Sequence, residues 1–371
     1  MSRLETLFSP TRFGAISMPK RIVMPPMTRM RSPQGVPTSL NAEYYAQRAS
    51  AGLIVTEATA ISAAARGYPN MPGIYTDDQA AGWLQVTRAV KAAGGRIVLQ
   101  LVHHGRWSHS SYNLDGQLPV APSAIAAPGM IYDPDSKQVA FETPRALDIG
   151  EIPQIVSAFR QGALRAVEAG FDAIEVHGAN GFLIDQFLQD GSNRRADGYG
   201  GTVENRTRLL LEVLGAVTNA IGADRTGVRL SPHGNLGGLS DSDTVPHFSH
   251  IITATGKIGL AYLHLIEPRA SSAGLGDDAS IDSANNLNLF RKLYPGPVIT
   301  AGGYSPTTGA EAILTADADA VAFGRMFISN PDLPKRIRTG GPLNVFDRST
   351  SYGGGAHGYT DYPNLPAAVL A

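Results

Sequence analysis

The sequence predicts an α/β fold, a single (β/α)8 TIM barrel, from three observations. Eight short runs rich in Val, Ile and Leu are spread along the chain. None alternates strictly between apolar and polar residues, as expected for strands buried on both faces of a parallel sheet. Helical patterns separate most of the runs. Strand and helix alternating eight times favour the barrel, and a doubly wound parallel sheet is the alternative.

The elements follow in chain order. The predicted strands are Arg21–Met27, Leu53–Ala58, Arg96–Val102, Ala173–Val176, Thr226–Ser231, Leu260–Glu267, Pro297–Gly302 and Ala320–Phe327. The predicted helices have apolar residues three or four positions apart. They are Ser39–Ala51, Asp77–Ala93, Ile152–Ala169, Val203–Ile221, Phe248–Thr255 and Thr308–Ala316, with a further apolar helical pattern over 183–188.

Two segments depart from the repeat. Phe8–Pro19 has paired apolar runs around Gly14, which predicts a hairpin lid closing the barrel's amino-terminal face. A stretch of some fifty residues rich in Pro, Ser and Ala separates the third strand from Ile152. Loops of that length are usually functional, so residues of about 104–150 are expected to cap the site. Because no repeat or linker interrupts the chain, we expect one domain over 1–371.

Composition narrows the class of protein. The chain has 371 residues, a net charge of −1 and no Lys/Arg run, which gives no electrostatic case for nucleic acid or an anionic membrane. The absence of cysteine excludes disulfides, thiolate metal sites and a Cys nucleophile. The nine histidines show no ligand spacing, so no metal is expected. The amino-terminal sequence lacks a signal-peptide core and no apolar run reaches 18 residues, which predicts a cytoplasmic protein.

Candidate site residues stand where the strands end, because barrel active sites lie at the carboxyl ends of strands. After the fourth strand, His177 and Asn180 present two side-chain donors in a Gly-punctuated turn. The ends of strands seven and eight carry Gly302-Gly303 and Gly324-Arg325, at the usual phosphate site of such barrels. A lone histidine is more often structural than catalytic, and Asn180 three residues on is what favours a functional role.

A series of segments in one order resembles the old yellow enzyme family of FMN-dependent NAD(P)H ene-reductases. They include RIVMPPMTRMR, AEYYAQRASAGLIVTEA, GYPNMPGIY, LQLVHHGR, PVAPSAI, VRLSP, VAFGRMFISNPDL and YGGGAHGYTDYP. The turn of His177 and Asn180, followed by IDQFLQDGSNRRADGYGGTVENRTR, belongs to the same series. Thr28, where some members have cysteine, resembles the main branch of the family.

The resemblance implies non-covalent FMN and a role for each matching residue. Gln100 would meet the pyrimidine edge, Arg229 the N1/O2 locus and Thr28 the O4 atom. The remaining cofactor residues would line the ring (Pro26, Met27, Ala58 and His177) or grip the phosphate (Gly302, Gly303, Gly324 and Arg325).

For the substrate, the resemblance implies that His177 and Asn180 donate to the oxygen of an activated alkene. An α,β-unsaturated carbonyl, nitroalkene or maleimide would then accept hydride from flavin N5, in ping-pong with NADPH or NADH at the same face. Tyr68 and Tyr359 would stack on ligands, and plain packing is their alternative. Tyr359 lies in a carboxyl-terminal segment of about 340–371 that is expected to contribute to the site. Monomer and homo-oligomer both stay open.

Three features depart from the family pattern. Phe182 stands where many members have a proton-donating tyrosine, and Val102 replaces a common tryptophan, which predicts room for bulkier substrates. Arg269–Ser280 matches no fixed motif and is expected to be a mobile lid that influences substrate choice. Phe182 keeps a redox-neutral isomerase open as an alternative function. A flavin- or phenol-binding barrel without turnover is the alternative from a non-enzymatic class.

Overall fold

The computed structural model describes residues 3–113, 115–268 and 285–366. Its strands are β1 (Thr11–Phe13), β2 (Ile16–Met18), β3 (Ile22–Met24), β4 (Leu53–Val55), β5 (Thr59–Ala60), β6 (Ile97–Val102), β7 (Val120–Ala121), β8 (Met130–Tyr132), β9 (Gln138–Ala140), β10 (Arg145–Ala146), β11 (Ala173–Gly178), β12 (Thr226–Leu230), β13 (Tyr262–Ile266), β14 (Val298–Ala301) and β15 (Ala320–Ala322). Its helices are α1 (Ser39–Gln47), α2 (Asp77–Ala92), α3 (Ile152–Glu168), α4 (Leu183–Leu188), α5 (Val203–Ile221), α6 (Thr244–Gly256), α7 (Asn286–Phe290), α8 (Pro306–Leu314), α9 (Gly324–Ser329) and α10 (Leu333–Thr339).

Eight parallel strands close into a barrel, which confirms the predicted fold. Their order is β3, β4, β6, β11, β12, β13, β14 and β15, and β15 pairs with β3 again. Helices follow the strands on the outside. Small and β-branched side chains such as Val23, Val98 and Ala320 fill one buried cluster shared by the strands, as expected for a packed barrel interior.

The amino-terminal hairpin closes the lower end of the barrel, as predicted. Strands β1 and β2 pair antiparallel through a turn in which Gly14 has a φ of 55°. The Ala15 amide donates to the carbonyl oxygen of Asp224 at 2.8 Å, directly before β12. Phe13 packs on Tyr262 of β13, with ring centroids 6.0 Å apart. The hairpin therefore seals the interior opposite the carboxyl ends of the strands.

The capping segment leaves β6 and returns at α3. It contains two small sheets, the parallel pair of β7 and β10 and the antiparallel pair of β8 and β9. A separate apolar cluster of Tyr112, Ala127, Ile131 and Phe141 holds it together. Trp107, just after β6, lies 5.0 Å from the ring of Phe141 and connects the segment to the barrel.

The predicted strand Ala320–Phe327 is wrong in its second half. The strand ends at Ala322, and the chain turns into α9 from Gly324. Phe327 and Ile328 remain buried, but as one side of a helix. A short apolar run has the same composition in either state, and periodicity cannot separate them. The predicted lid Arg269–Ser280 lies outside the described residues.

Within the described ranges, no helix is both long enough and apolar enough to cross a membrane.

Candidate active site

The turn after β11 is held in an unusual backbone conformation. Asn180 and Gly181 both have positive φ, 58° and 80°, a region that asparagine tolerates better than most residues. The Asn180 amide donates to the Ser231 hydroxyl at 2.9 Å, and the Gly181 amide donates to the Asp185 carboxyl at 2.9 Å. The side chains of Ser231 and Asp185 therefore fix the position of the turn relative to β11.

His177, near the end of β11, is a neutral hydrogen-bond donor. The Ala179 amide donates to His177 Nδ1 at 3.3 Å, which places the ring proton on Nε2. Burial, helped by the cation of Arg229, lowers the His177 pKa well below its usual value. His177 and Arg229 are register partners on neighbouring strands. The imidazole therefore keeps one fixed N–H across the physiological pH range.

A chain of buried polar groups lies on the neighbouring strands. Gln100 Nε2 donates to Glu175 Oε1 at 2.7 Å, and His264 Nδ1 contacts Glu175 Oε2 at 2.8 Å. Arg229 is the register partner of His264 and is 8% exposed. Burial lowers the Arg229 pKa to about 10, although Glu175 opposes that shift. One amide hydrogen of Gln100 is thus committed to Glu175, leaving its carbonyl oxygen to accept from a ligand.

Aromatic rings form a wall beside His177. The ring of Phe182 lies 5.0 Å from that of His177 and 4.3 Å from that of His104. Tyr68, half-buried, meets His104 edge-on at 5.2 Å, and Trp107 lies 6.4 Å from Phe182. Burial lowers the His104 pKa to about 4, while its bond to the Ala65 oxygen opposes the shift. The wall is consequently uncharged and suits flat, largely apolar ligands.

The ends of β14 and β15 present backbone to solvent. Gly302 and Gly303 have φ values of 118° and 65°, which a residue with Cβ rarely adopts. Gly324 stands beside β3, where an added Cβ would touch Pro25 and Met27 at 3.6 Å. Arg325 follows and is exposed. Glycine backbone with an adjacent guanidinium is suited to bind a phosphate.

These residues fit FMN, on observations from the structure. The predicted cofactor residues lie in the carboxyl-terminal half of a barrel strand or just after it, in seven of the eight strands. Arg229 Nε is buried without a hydrogen-bond partner in the described part of the chain, as expected where a ligand acceptor belongs. Pro26, Met27 and Thr28 are half-buried after β3, and Ala58 is buried after β4.

One predicted substrate contact, Tyr359, is packed inside the protein. Tyr359 is fully buried and stacks on Tyr44, with ring centroids 3.9 Å apart, and its hydroxyl accepts from Asn41 Nδ2 at 3.2 Å. Arg31 covers the same ring, 4.6 Å from its centroid. The plain packing alternative therefore holds for Tyr359. Val102 is also buried, among core residues, and the room that it leaves for a bulkier substrate stays a prediction.

The carboxyl-terminal segment brings a different tyrosine towards the site. Tyr352 is 46% exposed and lies near Tyr68, where it adds to the effect of burial in raising the Tyr68 pKa. Tyr352 is not among the site residues predicted from the sequence. The available signal was its place at the start of YGGGAHGYTDYP, since glycines leave an adjacent large ring without neighbours to pack against.

Fold and site together define a flavin-binding barrel oxidoreductase. A model of the NADH:flavin oxidoreductase / NADH oxidase family, whose cofactor is FMN, matches residues 6–344. The chain belongs to this family, the old yellow enzyme family, and is an oxidoreductase.

Individual relatives agree with this membership. Flavin oxidoreductase hxnT of Emericella nidulans is 44% identical, covering 98% of each chain. 12-Oxophytodienoate reductase 7 of Oryza sativa is 43% identical and covers 97% of this chain and 94% of its own. Among solved structures, morphinone reductase in complex with tetrahydroNAD has a TM-score of 0.91 at 47% identity, with 98% of each chain covered. The old yellow enzyme homologue of Zymomonas mobilis has a TM-score of 0.93 at 43% identity, covering 97% and 100%.

Proposed function

We propose that the protein is an ene-reductase that uses NADPH or NADH to reduce activated C=C bonds of small molecules. The candidate substrates are α,β-unsaturated carbonyls, nitroalkenes and maleimides. The observation that carries the proposal is the neutral, buried His177, whose free N–H lies in the same turn as Asn180. Relatives named as reductases of morphinone and 12-oxophytodienoate support this class of reaction.

Bound FMN would supply the redox chemistry, taking hydride from NAD(P)H and delivering it to the alkene. The residues proposed to hold it are Pro26, Met27, Thr28, Ala58, Gln100, Arg229, Gly302, Gly303, Gly324 and Arg325. Arg229 contributes a fixed cation, which favours the more negative reduced form of a flavin. The exposed backbone after β14 and β15 suits the phosphate.

His177 and Asn180 activate the substrate. Both donate to its carbonyl or nitro oxygen, which draws electron density from the conjugated alkene and makes the β-carbon electrophilic. A neutral imidazole donates without delivering its proton to the substrate. Preorganised donors of this kind are each worth about 10²–10³-fold in rate when removed from other enzymes.

Proton delivery to the α-carbon falls to water or another hydroxyl. Phe182 has no acidic proton. The neighbouring His104 contacts the Ala65 oxygen through Nδ1 at 2.8 Å, and burial lowers its pKa to about 4, so little imidazolium exists near neutral pH. In the described part of the aromatic wall, the Tyr68 hydroxyl is the remaining O–H group, and burial raises its pKa. A wall without a tyrosine at position 182 favours a second candidate function. A persistent enolate could return hydride and yield net isomerisation.

Turnover assays separate the candidates. An ene-reductase consumes one NAD(P)H for each alkene reduced, whereas an isomerase needs none after the flavin is primed. A yellow protein that binds phenols with a charge-transfer band and consumes no NAD(P)H would contradict both in favour of a binding role. Phe182→Tyr tests the protonation step in single-turnover oxidation by cyclohexenone. An unchanged oxidative rate and solvent-deuterium pattern would show that Phe182 does not shape protonation.

A further inference from the structure

A carboxylate in the barrel interior has no role in the function proposed above. Glu175 of β11 is completely buried and faces the same interior as His177, two residues further on. Its two oxygens are held from opposite sides, by Gln100 of β6 at 2.7 Å and His264 of β13 at 2.8 Å. Three strands therefore contribute to the fixed position of this one carboxyl group.

Glu175 is ionised and acts on Arg229. Burial pushes the Glu175 pKa upwards, but His264, Arg229 and Gln100 outweigh it and leave the pKa below its usual value. Arg229 stays protonated, since its pKa of about 10 lies far above neutral pH. One negative and one positive charge thus share a dry interior, where charges interact more strongly than in water.

Two buried nitrogens around this carboxylate have unfilled hydrogen-bonding capacity. Arg229 Nε and His264 Nε2 are buried without partners among the residues that the structure describes. Buried polar atoms of this kind are rare and usually have a missing partner. A buried carboxylate with its partners also costs desolvation energy that an apolar cluster of equal volume would avoid. Unpartnered buried nitrogens also occur outside the barrel, at Arg206 Nε and His247 Nε2. The place of Glu175 in the barrel interior, two residues before His177, is therefore what points to a functional reason for the charge.

We propose that Glu175, fixed by His264 and Gln100, is a positioning residue that offsets the Arg229 cation and so sets the reduction potential of bound FMN. Reduction adds negative charge to the flavin. The Arg229 cation favours that change and the Glu175 anion opposes it, so the pair holds the potential lower than Arg229 alone would. The inference rests on the proposed placement of the flavin pyrimidine beside Arg229.

The chain contains a matched control outside the barrel. The side chain of Asp241 is buried beside Arg206 at 2.5 Å and His247 at 2.7 Å, among α4, α5 and α6. This cluster repeats the carboxylate, arginine and histidine of the interior without facing the barrel. Neutralising Asp241 therefore reproduces the structural cost of losing a buried ion pair, while leaving the charges around Arg229 unchanged.

The test compares reduction potentials of the FMN-loaded proteins by equilibrium titration with redox dyes. Glu175→Gln should favour reduced over oxidised FMN by tenfold or more, which is a rise in reduction potential of at least about 30 mV for a two-electron couple. Glu175→Asp keeps the charge, so its potential should lie between those of the wild type and Glu175→Gln. Asp241→Asn should leave the potential unchanged while lowering the melting temperature. In the apoprotein, nitrogen NMR should show that His264 loses its fixed Nδ1–H tautomer in Glu175→Gln.

A second variant tests the inference in case the Glu175→Gln protein does not fold. His264→Leu leaves the carboxyl without its imidazole partner, which favours its protonation, and should raise the potential in the same direction. An unchanged potential in the variants that fold, or an equal rise in Asp241→Asn, would overturn the inference. A wild-type protein that NAD(P)H does not reduce would instead refute the proposed function, whatever the potentials.

Discussion

At the scale of single residues, the site depends on which groups are charged. His177 is neutral because burial and the Arg229 cation both oppose its protonation. Its Nδ1 is occupied by the Ala179 amide, so only Nε2–H is left to donate. The backbone N–H of Asn180 donates a hydrogen bond to the Ser231 hydroxyl, which keeps Asn180 in position. Two uncharged donors can polarise a carbonyl group without forming an ion pair. The site therefore suits a neutral, electrophilic substrate better than an anionic one.

Removing the His177 donor should slow reduction of the substrate more than reduction of the flavin. For His177→Ala we expect the rate of enone-driven reoxidation to fall by about 10²–10³-fold, the loss seen on removing one preorganised donor. His177→Asn retains an N–H and should recover part of that loss. Stopped-flow absorbance of the flavin measures both. Equal rates of reoxidation for His177→Ala and the wild type would show that His177 does not activate the substrate.

Asp185 makes stability depend on pH. Burial raises its pKa from 3.8 to about 7, although the Gly181, Gln189 and Ser231 bonds oppose the shift. The folded state thus binds this proton more tightly than the unfolded state does. The free energy of unfolding should therefore fall as pH rises from about 4 to 7, by about 4 kcal/mol at most.

Asp185→Asn, which cannot ionise, should flatten that pH dependence. Urea unfolding at intervals between pH 4.5 and 7.5 measures it. The same change at Asp78, an exposed residue in the first turn of α2, should leave the wild-type slope intact. A wild-type slope that survives in Asp185→Asn would assign the pH dependence to another group.

At the scale of elements, the amino-terminal hairpin depends on one glycine. Gly14 has a φ of 55°, and a Cβ at that position would lie 2.2 Å from the Asp224 oxygen. That oxygen also accepts the Ala15 amide, so the hairpin and the segment before β12 cannot separate without losing a bond. A side chain at Gly14 would therefore combine backbone strain with a clash.

Gly14→Ala should destabilise the protein more than a glycine change with strain alone. Gly94, after α2, has a φ of 77° and nothing within 4 Å of its added Cβ. Left-handed backbone costs a residue with Cβ about 1–2 kcal/mol, and this should be the whole effect of Gly94→Ala. Thermal unfolding should give a clearly lower melting temperature for Gly14→Ala. Equal melting temperatures would show that the hairpin yields at little cost.

The carboxyl-terminal segment is tied down by Arg31. Its guanidinium donates to the carbonyl oxygens of Thr350, Gly355 and His357 at 2.9–3.1 Å. These bonds hold the segment that carries Tyr352. Arg31→Leu should accelerate amide hydrogen exchange over 350–358 at least tenfold, with α3 unaffected. Unchanged exchange there would mean that Arg29, which bonds Ser351 and Gly358, suffices as the tether.

At the scale of the whole molecule, the barrel could be predicted because its strands are buried on both faces. The strand runs stood out as apolar segments between amphipathic helices, and most boundaries fell within a few residues. The exception is instructive. Ala320–Phe327 is uniformly apolar, and tertiary packing, which sequence periodicity does not report, decides that its second half is helical.

Candidate site residues next to strand ends were found for the same reason, since strand order alone brings them together. Strand order could not predict which of Tyr352 and Tyr359 is buried. Both stand in the carboxyl-terminal segment, which has no strand register. Contacts with residues distant in sequence, such as the arginine bonds to its carbonyls and the stacking of Tyr359 on Tyr44, determine which ring is buried. The Glu175 pairing with Gln100 and His264 likewise joins residues 75 and 89 positions apart, which no local pattern reports.

The most direct test of the central proposal is rapid mixing in two half-reactions. The purified yellow protein is first reduced with NADH or NADPH without oxygen, and then mixed with cyclohexenone while the flavin absorbance is followed. We predict bleaching by the nicotinamide, full return of the absorbance with the enone, and one cyclohexanone formed per flavin. Bleaching that the enone does not reverse, or absorbance that returns without cyclohexanone, would contradict the proposed ene-reductase.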